Sequence, residues 1–144
     1  MADTRMTRAE REAFLADVHI GVLAIPRPEG PPLTAPIWYD YAPGGEIRVI
    51  TGVDSRKGRL LDDGRAVTLV AQTETPPYRY VSVEGRVSAL RPSDTEADLR
   101  PMARRYLGEK GGDRYADQSS GEDSILVSIT PERWLTVDYG KLFD

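Results

Sequence analysis

Apolar residues in this 144-residue chain come in runs of only a few positions, several of them separated by proline- or glycine-rich segments. One run alternates. Between Tyr78 and Leu90, Val81, Val83 and Val87 fall on one side and Ser82, Glu84, Arg86 and Ser88 on the other. A period of two describes a strand with one face buried, and Gly85 inside it marks a bulge or a close backbone approach. Similar short runs read as strands over His19–Ile25, Thr34–Tyr41, Glu46–Gly52, Ala66–Thr73, Ile125–Ile129 and Trp134–Val137. Proline-rich (Pro26 to Pro32) and glycine-rich (Pro43-Gly44-Gly45) turns separate them, as hairpins require. The near-continuous apolar run from Ala66 suits a strand buried on both faces. Six or seven hairpin-linked strands with helices at the margins indicate a mainly β domain of α+β character, an antiparallel barrel.

Two capping signals place the helices. Thr7 and Glu10 have capping-box spacing for a helix over about 7–17, and Ser93 and Glu96 for one over about 94–106, bent or divided at Pro101. The polar, glycine-rich stretch 108–124 reads as a mobile loop. No repeat or linker divides the chain, so one domain over 1–144 is expected.

Composition removes whole classes of chemistry. There is no cysteine, which excludes disulfides, thiolate zinc sites and cysteine nucleophiles. The one histidine, His19, cannot build a His-rich metal site within one subunit, and at a strand start it reads as structural rather than catalytic. A net charge of −4 argues against nucleic-acid binding. No apolar run is long enough for a membrane helix, and the first dozen residues do not read as a secretory signal, so a cytoplasmic protein is expected. The acidic pairs Asp62-Asp63 and Glu122-Asp123 read as solvated surface or caps, and no metal site is expected.

Ser55-Arg56-Lys57-Gly58-Arg59 stands apart, because lysine is scarce here (Lys57, Lys110 and Lys141 alone). A hydroxyl, backbone amides and adjoining basic groups suit a phosphate. The same residues also fit an ordinary basic turn answering Asp54, Asp62 and Asp63. The residues alone leave both readings open.

The stretch from Val49 through Thr51 and Ser55-Arg56-Lys57 to Leu61 resembles the phosphate-binding segment of the pyridoxamine phosphate oxidase family, where a strand feeds a Ser-Arg-Lys turn and a short leucine-bearing helix. The likeness continues through Ala66–Ala71 into Tyr78-Arg79-Tyr80 and the Val-x-Val-Glu-Gly pattern of Val81 to Gly85, and upstream to Ile20–Ala24 and Ala35–Tyr39. It implies a split antiparallel β-barrel with short flanking helices, forming a homodimer with cofactor sites at the subunit interface. By that likeness Ser55, Arg56 and Lys57 hold the cofactor phosphate. The backbone of Val49, Ile50 and Thr51 lies against the ring with Ile37 and Trp38, and Arg79 and Tyr80 reach the cofactor from the same sheet or from the second subunit. Trp38 and Tyr39 are aromatic enough to flank a ring by stacking, and Tyr106 and Tyr115 read as packing residues.

Three departures point away from the oxidase activity itself. Tyr80 stands where the oxidase carries glutamine, Glu46–Val49 lacks its lysine, and its C-terminal arginine motif is missing. The likeness is closer to the short group that binds the deazaflavin coenzyme F420, with FMN as the alternative cofactor. The expected reaction is hydride transfer to a small or medium organic acceptor such as a quinone, a tetrapyrrole or an unsaturated carbonyl compound. The alternative to an enzyme is a non-catalytic cofactor or tetrapyrrole-binding protein. Such cofactors carry their own hydride, so no catalytic side chain is expected.

Overall fold

The computed structural model describes residues 3–143. Its strands are β1 (Gly21–Ile25), β2 (Leu33–Ile37), β3 (Asp40–Tyr41), β4 (Ile47–Gly52), β5 (Ala66–Gln72), β6 (Arg79–Pro92) and β7 (Ser124–Asp138). Its helices are α1 (Arg8–Ala16), α2 (Arg56–Leu60) and α3 (Arg100–Ser119), with a π-helical turn over Thr95–Leu99 before α3. Among the described residues no helix is long and apolar enough to cross a membrane.

All seven strands form one antiparallel sheet in the order β2-β1-β5-β6-β7-β4-β3. The two edge strands, β2 and β3, are consecutive in the chain and joined only by Trp38 and Tyr39. The sheet must therefore curl until its edges meet, giving a barrel split at that two-residue seam. Leu23, Ile25, Ile47, Val49, Leu69, Val81, Val83, Val127 and Ile129 fill its interior, all 2% exposed or less. Tyr39, fully buried, closes the seam: its hydroxyl donates to the Leu15 carbonyl at 2.6 Å. Tyr39 is thus core rather than a ring-stacking residue. Arg105 ties the seam to the end of α1, donating to the carbonyls of Tyr39 (3.1 Å) and Ala16 (3.0 Å).

Most expected elements form, and four differ. The strand expected over Thr34–Tyr41 breaks at the seam, because its halves belong to opposite edges of the sheet. β5 is buried on one face only, through Val67, Leu69 and Ala71, while Val70 on the other face is half-buried. The two expected C-terminal strands are one. Pro131, which lacks an N–H, sits where the β6–β7 register shifts at Gly85, and a Cβ on Gly85 would lie 2.5 Å from the Thr130 carbonyl oxygen.

The fourth difference is the largest. The helix expected to end near 106 continues to Ser119, so most of the stretch read as a loop over 108–124 is helical. Its cap is Asp94, whose carboxylate accepts from the Ala97 N–H, rather than Ser93. α3 breaks at Gly108 (φ 78°), a left-handed conformation that favours glycine. Arg100 pairs with Asp113 (3.0 Å) and Asp117 (2.7 Å), and Arg104 with Asp113 (2.8 Å). Partners that converge towards Gly108 from both sides make α3 a helical hairpin. Gly112 permits the approach of its arms, since a Cβ there would lie 2.5 Å from the Arg104 backbone.

Candidate functional site

β4 alternates, with Ile47, Val49 and Thr51 buried and Ile50 half-buried towards the seam. At its end the chain turns sharply into α2. Ser55 builds that turn: its hydroxyl accepts from the Gly58 N–H (3.0 Å), donates to the Gly52 carbonyl (2.8 Å) and bonds the Thr51 hydroxyl (3.0 Å). The turn needs glycine at 58, where a Cβ would lie 2.2 Å from the Gly52 carbonyl oxygen.

Beside this turn a cleft of about 530 Å³ opens along the seam. Ile50, Thr51 and Gly52 form one wall, and Pro36, Ile37 and Trp38 the other. Lys57 and Ser55 close one end, and Tyr115 reaches in from the second arm of α3. Trp38 is held from behind by Tyr106, stacked at 5.1 Å with the planes 6° apart, while Tyr115 meets it at 5.1 Å and 53°. Tyr106 is fixed in turn, donating to the His19 carbonyl (2.7 Å) and accepting from the Tyr39 N–H (3.0 Å). Trp38 therefore presents a pre-oriented aromatic surface.

The charges at the turn separate the two readings of the basic segment. Among the described residues, Arg56, Lys57 and Arg59 form no ion pair, and the nearby Asp62 is engaged by Arg65 at 3.0 Å. The turn does not answer its own acids. Its cations remain available to an anion in the cleft, and Lys57 lines that cleft directly.

Of the expected site residues, Ile37, Trp38, Ile50, Thr51, Ser55 and Lys57 come together in the cleft. Ser55 does so as a builder of the turn, its hydroxyl taken up within it. Val49 points into the barrel at 2% exposure, leaving only its backbone near the wall. Arg56 is exposed beside the cleft. Arg79 and Tyr80 are elsewhere. Across the sheet, Val81 beside Tyr80 is linked through Ala71 and Gly21 to Ile37, three strand spacings, or about 15 Å, from that wall of the cleft. Neither lines the cleft of its own subunit, and Arg79 lies over the Phe14 ring at 5.0 Å.

Tyr115, Ile20 and Pro36 also line the cleft without having been expected there. Tyr115 was hidden by the loop-like composition of its segment. The one available signal was the match of Arg100 and Arg104 with Asp113 and Asp117 about Gly108. His19 is structural, as its strand-start position suggests. Its Nε2 lies 3.0 Å from the Phe14 carbonyl, its ring stacks on Phe14, and burial holds its pKa below the ordinary value. No group of three or more potential metal ligands clusters among the described residues.

Comparison with known proteins bears on the family and the fold. The pyridoxamine 5'-phosphate oxidase family profile matches residues 7–138. Among solved structures, a conserved hypothetical protein of Mycobacterium tuberculosis is 27% identical, with a TM-score of 0.74 over 100% of this chain and 92% of the other. An F420 reductase is 24% identical, with a TM-score of 0.68 over 86% of this chain and 94% of the other. The FAD and haem binding protein of Mycobacterium smegmatis shares the fold at 13% identity, with a TM-score of 0.66 over 94% and 72%. No protein of curated function matches the chain.

Proposed function

The chain belongs to the pyridoxamine 5'-phosphate oxidase family, and from that premise we propose that it is a reductase working with the deazaflavin coenzyme F420, delivering a hydride to a small or medium organic acceptor. The observation that carries this reading is the unpaired basic turn at Arg56, Lys57 and Arg59, set at the end of a cleft walled by Trp38 and Ile50. A cleft of about 530 Å³ is within the range of cofactor sites. When bound, the cofactor supplies the hydride. The chain's part is to grip the phosphate through Lys57 and Arg56, to lay a ring system along Trp38, Ile37 and the β4 backbone, and to keep water from it. The three basic side chains of Arg56, Lys57 and Arg59 also suit the carboxylates of an F420 tail beyond the phosphate.

FMN is the second reading, favoured by the position of Arg79: without it, one subunit's basic track stops at Arg59. A haem-carrying role has less support, because the one imidazole is turned onto the Phe14 carbonyl.

The reading includes a homodimer. On the outer face of the sheet Pro36, Val22, Val70, Ser82 and Leu135 form a continuous row across five strands. Val22 is 42% and Leu135 60% exposed. A second copy covering this row is the route by which Arg79 and Tyr80 would complete the partner's cleft. Light scattering is expected to give twice the 16.0 kDa of one chain, and Leu135→Asp to return the monomer.

The test of the cofactor is a fluorescence titration with F420 and with FMN. Tight F420 binding with weak FMN binding supports the first reading, and the reverse order supports the second. Binding of neither overturns both.

A further inference from the structure

Behind Tyr115 lies a second, smaller cavity of about 150 Å³. It shares Trp38, Ile50, Thr51, Gly52 and Tyr115 with the cleft, so the two spaces meet across the same wall. Beyond the wall its lining changes character. Leu99 and Met102 give an apolar side, and Ser119, Glu122 and Ser124 a polar end. Among the described residues, neither serine hydroxyl has a hydrogen-bond partner and Glu122 pairs with no cation. Glu122 is exposed and both serines are half-buried, so the polar end is the side on which the cavity opens to solvent.

Size and charge select what fits. A cavity of this volume admits one benzene-sized ring, whereas a tetrapyrrole has four rings. The unpaired Glu122 carboxylate repels a second carboxylate and accepts hydrogen bonds from neutral hydroxyl or amide groups. We propose that this side cavity is the acceptor site, and that it selects a neutral, single-ring unsaturated carbonyl compound over quinones with bulky ring systems, tetrapyrroles and carboxylate-bearing acceptors. The inference rests on the cleft being the cofactor site. In the reaction the acceptor's β-carbon gains a hydride and its α-carbon a proton from water. Its C=C bond becomes C–C while the reduced cofactor is oxidised by the same two electrons.

Ser119 lines the cavity but not the cleft, so Ser119→Phe fills one and spares the other. The probes are cyclohex-2-enone, its 3-carboxylate and biliverdin. Two readouts are taken: saturation-transfer NMR on the protein without cofactor, and kcat/KM with it. Cyclohex-2-enone is expected to bind the wild type and to lose at least tenfold in both readouts in Ser119→Phe, with the cofactor Kd unchanged within twofold. Biliverdin is expected to be neither bound in the cavity nor reduced. Glu122→Gln, which alters no volume, is expected to raise binding of the carboxylate at least fivefold, and it keeps the idea testable should Ser119→Phe not fold. Cyclohexenone binding unaffected by Ser119→Phe, carboxylate binding unaffected by Glu122→Gln, or biliverdin reduced as well as cyclohexenone would overturn the proposal. If neither F420 nor FMN binds while the cyclohexenone signal persists and disappears in Ser119→Phe, the cofactor reading fails and the ring site stands.

Discussion

Two stretches of this chain combine basic side chains with glycine: the turn over 55–59 and the hairpin over 100–117. In the hairpin Arg100 faces Glu96, Asp113 and Asp117, Arg104 faces Asp113 and Arg105 donates to backbone carbonyls, while among the described residues Lys110 and Arg114 at its outer arm form no ion pair. In the turn, Arg56, Lys57 and Arg59 meet none among the described residues. The glycines differ as well. Gly108 supplies a left-handed backbone at a reversal, whereas Gly58 is needed because the Gly52 carbonyl lies where a side chain would be. Basic charge alone therefore says little. Charge already paired belongs to the fold, and charge left unpaired on a rigid turn is available to a ligand.

The substitution expected to break this contrast most severely is Gly58→Ala. A Cβ 2.2 Å from the Gly52 carbonyl oxygen cannot be relieved by a rotamer change, so the end of β4 and the start of α2 must part. Overpacking against backbone costs about 1–3 kcal/mol, and cofactor affinity should be lost with the turn. Denaturant unfolding and a fluorescence titration on the same sample test both. A variant with wild-type stability and affinity would show that the turn is looser than its geometry.

Lys57→Ala and Arg100→Ala sharpen the contrast from opposite sides. Removing Lys57 should weaken cofactor binding tenfold or more, since a charge-assisted hydrogen bond contributes about 1.5–3 kcal/mol. Stability should hold within about 0.5 kcal/mol, as for most surface substitutions. Removing Arg100, whose side chain is 17% exposed among three carboxylates, should lower stability by about 1–2 kcal/mol. It should leave the phosphate grip intact. If both variants lose binding and stability together, the division between paired and unpaired charge is wrong.

The same contrast explains what the sequence could show. The turn was readable because strand, turn and short helix follow within a dozen consecutive residues and rest on local bonds. Ser55 fits a helix cap as well as a phosphate ligand by its position, and its hydroxyl takes the cap, accepting from the Gly58 N–H and donating to the Gly52 carbonyl. The hairpin was unreadable for the opposite reason. Glycine costs a helix about 1 kcal/mol relative to alanine, so Gly108, Gly111 and Gly112 imitate a loop. The ion pairs that offset this join residues well beyond one helical turn. The seam is long-range in the same sense. Nothing local in Thr34–Tyr41 says that Trp38 and Tyr39 bridge the two edges of a curled sheet. Likewise Pro131 is tolerated within β7 only because the Gly85 bulge faces it.

The smallest expected effect concerns a paired charge in the π-helical turn before α3. Asp98, its side chain 4% exposed, receives both Arg91 guanidinium nitrogens (2.7 and 2.8 Å) and the Asp94 N–H (2.8 Å). The Arg91 bonds hold its carboxyl below the ordinary range. A group with a depressed folded-state pKa stabilises fully above its unfolded value, near 3.9, and loses that contribution as pH falls through the folded value. Stability should therefore fall between pH 5 and pH 3 more steeply in the wild type than in Asp98→Asn, which cannot take up the proton. Thermal melts across that range measure the two slopes. Equal slopes would mean that the Arg91–Asp98 pair, unlike the Arg100 cluster, does not couple the π-helical turn to β6.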